Sequence, residues 1–221
     1  MEKEGERQLE EEKMSPEKEP NSGSGIQSFL LIHNVAKPKN VGTLVRSAAA
    51  FNVSMIYLVA KDAEGKKKSK IMSRFQFFGH KGTVQKSDFE IFPSLKDIKE
   101  NLSSRGITVC GVELTEDAKD VTKHPFKGST CFIMGNEGTG LTPQQKEICD
   151  QFVYIPHYTD KTASLNVAVA GSIVFHHFAL WAQFKEAKFS GEKYTNIILE
   201  DQTVKKELGK RECFERPLEK E

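Results

Sequence analysis

The stretch FIMGNEGTGLT, residues 132–142, runs from three apolar residues into a glycine-rich turn and out through Leu141-Thr142. Gly135 and Gly140 have the G-x-x-x-x-G spacing of a phosphate cradle, in which backbone N–H groups hold a nucleotide and a following Lys reaches the distal phosphates. Leu141 stands where that Lys would be, and Glu137 adds negative charge where a triphosphate needs positive. Next, Thr142 fits a helix N-cap, Pro143 the first helical position and Gln145 the reciprocal member of a capping box. A strand thus passes through a tight turn straight into a helix. In open α/β sheets ligands bind beyond the carboxyl ends of strands, where such a turn lies. A ligand-free turn, with Gly135, Gly138 and Gly140 supplying φ > 0, accounts for the same glycines.

Outward from this turn, strands alternate with helices. FLLIH (29–33) reads as a buried strand, NVGTLVRSAAAF (40–51) as a helix and SMIYLVA (54–60) as a second strand. A charged segment, 61–70, interrupts the rhythm, and the region around FFGHKGTVQ does not resolve into either period. SLKDIKENLSSR (94–105) then reads as a helix, and ITVCGVEL (107–114), CFIMG (131–135) and FVYIP (152–156) as strands. A long helix from Ser164 to Glu186 closes the domain. This alternation implies the α/β class, with a mostly parallel sheet covered by helices on both faces. No internal repeat is present.

Of the 221 residues, 38% are hydrophobic, enough for one sizeable core. Residues 1–25 combine charge with Pro, Ser and Gly and are expected to form a disordered acidic tail. Residues 26–187 form the expected folded domain and 188–221 a charged C-terminal tail. The chain carries +1 overall and −4 in its first twenty residues, which leaves the remainder at +5. That mildly basic balance suits an anionic partner such as RNA and an ordinary enzyme alike. Cys110, Cys131, Cys149 and Cys213 form no C-x-x-C or His-Cys spacing, so neither a zinc site nor a disulfide framework is expected. The acidic first twenty residues lack an apolar run, and the longest one, 165–184, is broken by Asn166, His176 and His177. The expectation is an intracellular protein without a membrane span, in the cytoplasm first and in the nucleus or an organelle as the alternatives.

Two further segments place polar and small residues at predicted helix starts, where unpaired N–H groups gather. In HNVAKPKNVGTLVRSAAAF (33–51), Asn40 fits an N-cap. Leu44, Ala48 and Phe51 share a core face, while Gly42, Ala49 and Ala50 leave Arg46 ringed by little bulk. A guanidinium so placed is suited to fork onto a phosphate, or equally to pair with a surface carboxylate. In IPHYTDKTASLNVAVAGSIVFHHFALW (155–181), Ser164-Leu165-Asn166 opens the long helix, and Ser164, Ala168 and Gly171 form a small-residue stripe. That stripe suits close packing on the sheet or a helix pair across a dimer interface. His176 and His177 read as a partly buried, locally hydrogen-bonded pair.

Taken together, NVAKPKNVGTLVRSAAAF, FIMGNEGTGLT and IPHYTDKTASLNVAVAGSIVF resemble, in order and separation, the three motifs of the SpoU/TrmH family of RNA ribose 2'-O-methyltransferases in the SPOUT superfamily, over residues 28–185. The resemblance implies a deep C-terminal trefoil knot, S-adenosyl-L-methionine (SAM) as cofactor and transfer of methyl to a ribose 2'-OH of tRNA or rRNA. It also implies a homodimer through the third-motif helix, with both subunits building one active site. On the matched positions, Arg46 activates the hydroxyl with Asn40, Glu137 and Asn166 in support. Leu114, Met134, Gly135, Asn136, Gly140, Ile155, His157, Ser164 and Leu165 hold the cofactor. The absence of a Lys from the turn is then explained, since a sulfonium donor needs none. Pro156-His157 stands where family members often carry Pro-Met, and SRFQFFGHKG departs from the family's small-residue pattern. RNA contact is expected from the basic run Lys66, Lys67, Lys68, Lys70 and Arg74. A dimeric RNA-binding paralogue without catalysis, motivated by the altered HYTDKTA segment, and a nucleotide phosphohydrolase, motivated by the loop spacing, are the competing expectations.

Overall fold

The structure is a computed structural model, describing residues 25–60, 72, 75, 77–136 and 138–187. Those up to Phe184 belong to one compact unit. Apart from Gly25, the tails expected at 1–25 and 188–221 lie outside the described residues, as do Glu137 and the basic run Lys66, Lys67, Lys68, Lys70 and Arg74.

Seven strands form one sheet: β1 (Ser28–Ile32), β2 (Val53–Val59), β3 (Phe89–Phe92), β4 (Thr108–Val112), β5 (Lys119–Asp120), β6 (Thr130–Met134) and β7 (Gln151–Tyr154). Their spatial order is β3-β2-β1-β6-β4-β7-β5, and every pairing is parallel. Helices α1 (Pro38–Ala50), α2 (Leu95–Ser104), α3 (Pro143–Glu147) and α4 (Val167–Trp181) accompany them among the described residues. Successive side chains of a strand point to opposite faces, and the central strands are apolar at nearly every position, as a sheet covered on both sides requires. Leu30, Ile32, Phe132 and Met134 enter one core with residues of α1 and α4. Phe29, Leu31, Cys131 and Ile133 enter the other with Ile98 and Leu102 of α2. The expected parallel α/β architecture is therefore present.

Some boundaries differ from expectation. α1 starts at Pro38 with Lys37 as N-cap, so Asn40 lies inside the first turn and is buried instead of capping the helix. Pro at the first helical position is the physical reason, since it lacks an N–H that the turn could not use. α4 starts at Val167, three residues later than expected. Asn166 caps it, its side chain accepting the N–H groups of Ala168 (2.9 Å) and Val169 (3.4 Å), and Ser164 lies outside. The helix stops at Trp181, with Gln183 at φ 53°, instead of reaching Glu186. β3, β5 and a 3-10 turn at Thr83–Lys86 occupy stretches where no element was expected.

α1 and α4 pack side by side. Asn166 Nδ2 donates to Asn40 Oδ1 (3.1 Å), and Ser172 Oγ donates to Ser47 Oγ (2.7 Å). A Cβ on Gly171 would stand 2.3 Å from Leu44 Cδ1, so the small-residue stripe serves a helix pair within the chain. His177 is not bonded locally: its Nδ1 lies 3.1 Å from Nε2 of His124, 53 residues away in sequence. Burial, together with His124 and His176, holds its pKa below the ordinary histidine value. No helix among the described residues is long and apolar enough to cross a membrane.

Candidate active site

β6, β4 and β7 are neighbours, and the segments that leave them converge at their carboxyl ends. Beyond β6, Asn136 and Gly140 exchange backbone hydrogen bonds (2.9 and 3.0 Å), closing the loop as a small ring. The Asn136 side chain shapes it from both sides, accepting the Gly138 N–H (2.9 Å) and donating to the Asn34 carbonyl after β1 (3.0 Å). Two glycines are needed for different reasons. Gly140 has φ +67°, and a Cβ on Gly135 would come within 2.9 Å of Gly140 Cα and Leu141 N. Gly135, in contrast, is not among the positive-φ glycines, which corrects that part of the expectation: its lack of a Cβ serves close approach, not a left-handed turn.

Leaving the loop, the chain meets the expected capping box in full: Thr142 Oγ1 accepts from Gln145 N, and Gln145 Oε1 accepts from Thr142 N. Gln145 is fully buried because its amide also donates to the His33 carbonyl at the end of β1 (3.0 Å). The loop is thus tied to β1 at both Asn136 and Gln145. A further tie comes from β4's end, where Glu113 Oε2 accepts the Leu141 N–H (3.0 Å).

These segments enclose a cavity of about 650 Å³, the size of sites that take cofactor-sized molecules. All nine residues expected to hold a cofactor line it: Met134, Gly135, Asn136 and Gly140 after β6, Leu114 after β4, Ile155 and His157 after β7, and Ser164 and Leu165 before α4. Glu113, Val167 and Ala170 also line it and were not foreseen. Glu113 could have been found from its position between the end of β4 and Leu114, at the carboxyl edge of the sheet. The described lining contains a carboxylate and no Lys or Arg. Its walls are mostly apolar, from Met134, Ile155, Leu165 and Val167. Such a site repels a polyphosphate and accepts a ligand with apolar rings and positive charge. A nucleotide phosphohydrolase therefore has no support here.

The other expected group lies apart. Asn40 and Asn166 are bonded to each other, and Asn166 sits between the lining residues Leu165 and Val167. Arg46, almost two turns along α1, is exposed and does not line the cavity. Gly42 does not leave open space near it, because a Cβ there would lie 1.9 Å from the Phe78 carbonyl. The room expected at this glycine is filled by the chain's own loop. No group of three or more His, Cys, Asp or Glu able to hold a metal occurs among the described residues. Among the described residues the thiols are poor nucleophiles, burial raising the pKa of Cys110 and Cys131 and pushing Cys149 up to about 12.

The model of the SpoU rRNA Methylase family matches residues 27–176, from the start of β1 through most of α4 and including every lining segment. The chain belongs to this family. Among SpoU relatives, the 23S rRNA (guanosine-2'-O-)-methyltransferase RlmB of Acinetobacter baylyi is 30% identical over 152 residues, 67% of this chain and 57% of that protein. The tRNA (guanosine(18)-2'-O)-methyltransferase of Escherichia coli K12 is 26% identical over 145 residues, 66% of this chain and 59% of that protein. The chain thus matches less than two thirds of the length of either relative. Its fold is similar to that of an AdoMet-bound rRNA methyltransferase from Sinorhizobium meliloti, with a TM-score of 0.59 and 22% identity over 76% of this chain and 59% of that one.

Proposed function

We propose that the chain is a SAM-dependent methyltransferase acting on a ribose 2'-OH of tRNA or rRNA, and that two copies build each site. The observation that carries this reading is the cavity at the ends of β6, β4 and β7, which gathers all nine matched cofactor positions around a carboxylate with no cation in the described lining. The named activities of the SpoU relatives support the choice of substrate. When bound, SAM supplies an electrophilic methyl on a positively charged sulfur. The chain's part is to hold it: Gly135 and Gly140 let backbone approach closely, the apolar walls take the adenosyl ring, and Glu113 fixes the loop while keeping negative charge beside a cationic ligand.

Arg46 cannot serve as a base, because a guanidinium stays protonated in proteins. Its role is to fork onto the phosphate next to the target ribose and to stabilise the alkoxide that develops as the hydroxyl releases its proton to water. Since Arg46 is exposed and outside the cavity of its own chain, it reaches the cavity of a second copy. The exposed apolar side chains Val169 and Leu180 on α4, 48% and 55% accessible, support a partner against that helix. A trefoil threading from β6 to α4 belongs to the same reading, and β6 does enter between β1 and β4, both earlier in the chain. The basic run 66–74 contributes phosphate contacts, and Glu137 steadies the loop or Arg46.

Incubation of the purified chain with methyl-labelled SAM and pooled tRNA and rRNA tests the proposal. Label recovered in 2'-O-methylnucleosides is the expected result. SAM binding without transfer to any RNA would favour the inactive RNA-binding paralogue, and label on bases would overturn the assignment.

A further inference from the structure

One large aromatic side chain beside α1 faces solvent. Phe78 is 62% exposed, whereas its neighbour Phe77 packs on Phe89 with ring centroids 5.4 Å apart. The backbone under Phe78 is held in place. Its carbonyl lies against Gly42 so closely that no Cβ fits between them. Beyond it, Gly79, Lys81 and Gly82 adopt φ of 87°, 50° and 82°. His80 Nδ1 accepts the N–H of Gly82 (3.1 Å) and of Val84 (3.5 Å), and the Thr83 N–H is bonded to the His80 carbonyl (3.0 Å). An exposed ring on a braced backbone loses little freedom when something stacks on it.

The surroundings of this ring carry positive charge. Lys39, Thr43 and Arg46 are exposed along one side of α1, and Arg46 is one turn, roughly 6 Å along the axis, from Gly42. Lys81 is exposed in the loop itself, and neither 33–51 nor 77–87 contains an Asp or Glu. A rim of exposed Lys and Arg near an aromatic ring matches a polyanion with flat bases better than it matches a protein surface.

We propose that Phe78 is a stacking platform for a nucleobase of single-stranded RNA flanking the methylated nucleotide, with Lys39 and Lys81 on the adjoining phosphates. This rests on the reading of the chain as an RNA methyltransferase. Sequence-tolerant stacking on an aromatic is how proteins commonly hold splayed-out loop bases.

The test compares Phe78→Ala, Phe78→Leu and Phe78→Trp with the parent, using pooled tRNA and a mixed-sequence single-stranded RNA 12-mer as probes. Phe78→Ala is expected to weaken RNA binding and raise the KM for RNA at least about tenfold, with SAM affinity and Tm unchanged. Phe78→Leu keeps apolar bulk without a π face and is expected to be as weak as Ala. Phe78→Trp restores binding, and its fluorescence is quenched by RNA against the background of Trp181, the only natural tryptophan. RNA affinity of the Ala variant within twofold of the parent, full rescue by Leu, or a changed oligomeric state with RNA binding intact would each overturn the platform. A parent chain that neither binds nor methylates RNA would instead remove the functional reading, and the platform with it.

Discussion

At the scale of single residues, Gly135 and Arg46 separate binding from chemistry. A side chain at 135 must push Gly140 and Leu141 backbone aside, so Gly135→Val is expected to weaken SAM binding by at least about tenfold, roughly 1.4 kcal/mol, measured by calorimetry. Arg46→Ala should do the reverse, lowering kcat on the order of a hundredfold while the SAM Kd stays at the parent value. Equal loss in both would show that the guanidinium belongs to the cofactor site. His177 yields a prediction of another kind. Its pKa is depressed in the folded chain by burial and by His124 and His176, against a smaller opposing pull from Asp120, near which Lys123 also lies. The unfolded chain therefore binds the proton more readily, and stability present above about pH 6.5 is lost as pH falls from there through the lower folded value. Thermal melts between pH 7.5 and 5 should show a steeper drop for the parent than for His177→Gln.

At the scale of elements, capping chemistry decided much of what could be read from sequence. Thr142-Pro143-x-Gln145 foretold the start of α3 because both halves of the capping box lie within four residues. Lys37-Pro38 held the same kind of signal for α1, yet Asn40 competed for the cap on type alone, and its true role depends on Asn166, 126 residues away. No local pattern carries that partnership. Asn166→Ala removes the cap of α4 and the bond to Asn40 together, and should cost on the order of 1–2 kcal/mol in denaturant melts, with SAM binding weakened because Leu165 and Val167 flank it. β5 was illegible because Lys119-Asp120 is two charged residues long, and β3 because FEIF is short and comes after no readable turn. The loop carrying Phe78 escaped because its left-handed residues include Lys81, which turn chemistry does not announce.

At the scale of the whole molecule, the alternation of strands and helices revealed the parallel sheet and its two covered faces, while the order β3-β2-β1-β6-β4-β7-β5 is a matter of long-range pairing that periodicity cannot express. The cofactor positions came from matched motifs, and all nine meet in one cavity because β6, β4 and β7 are adjacent. The nucleophile's side of the site did not join them within one chain, so in the proposed enzyme each site takes its cavity from one copy and its guanidinium from another. Methyl transfer by a differentially tagged heterodimer of Arg46→Ala with Gly135→Val reads this out. At SAM concentrations well below the weakened Kd of Gly135→Val, sharing across copies predicts one intact site per heterodimer and about half the parent rate, although each variant alone is strongly impaired. A heterodimer as inactive as either variant alone would mean that Arg46 serves the cavity of its own chain, and would contradict a site shared between copies.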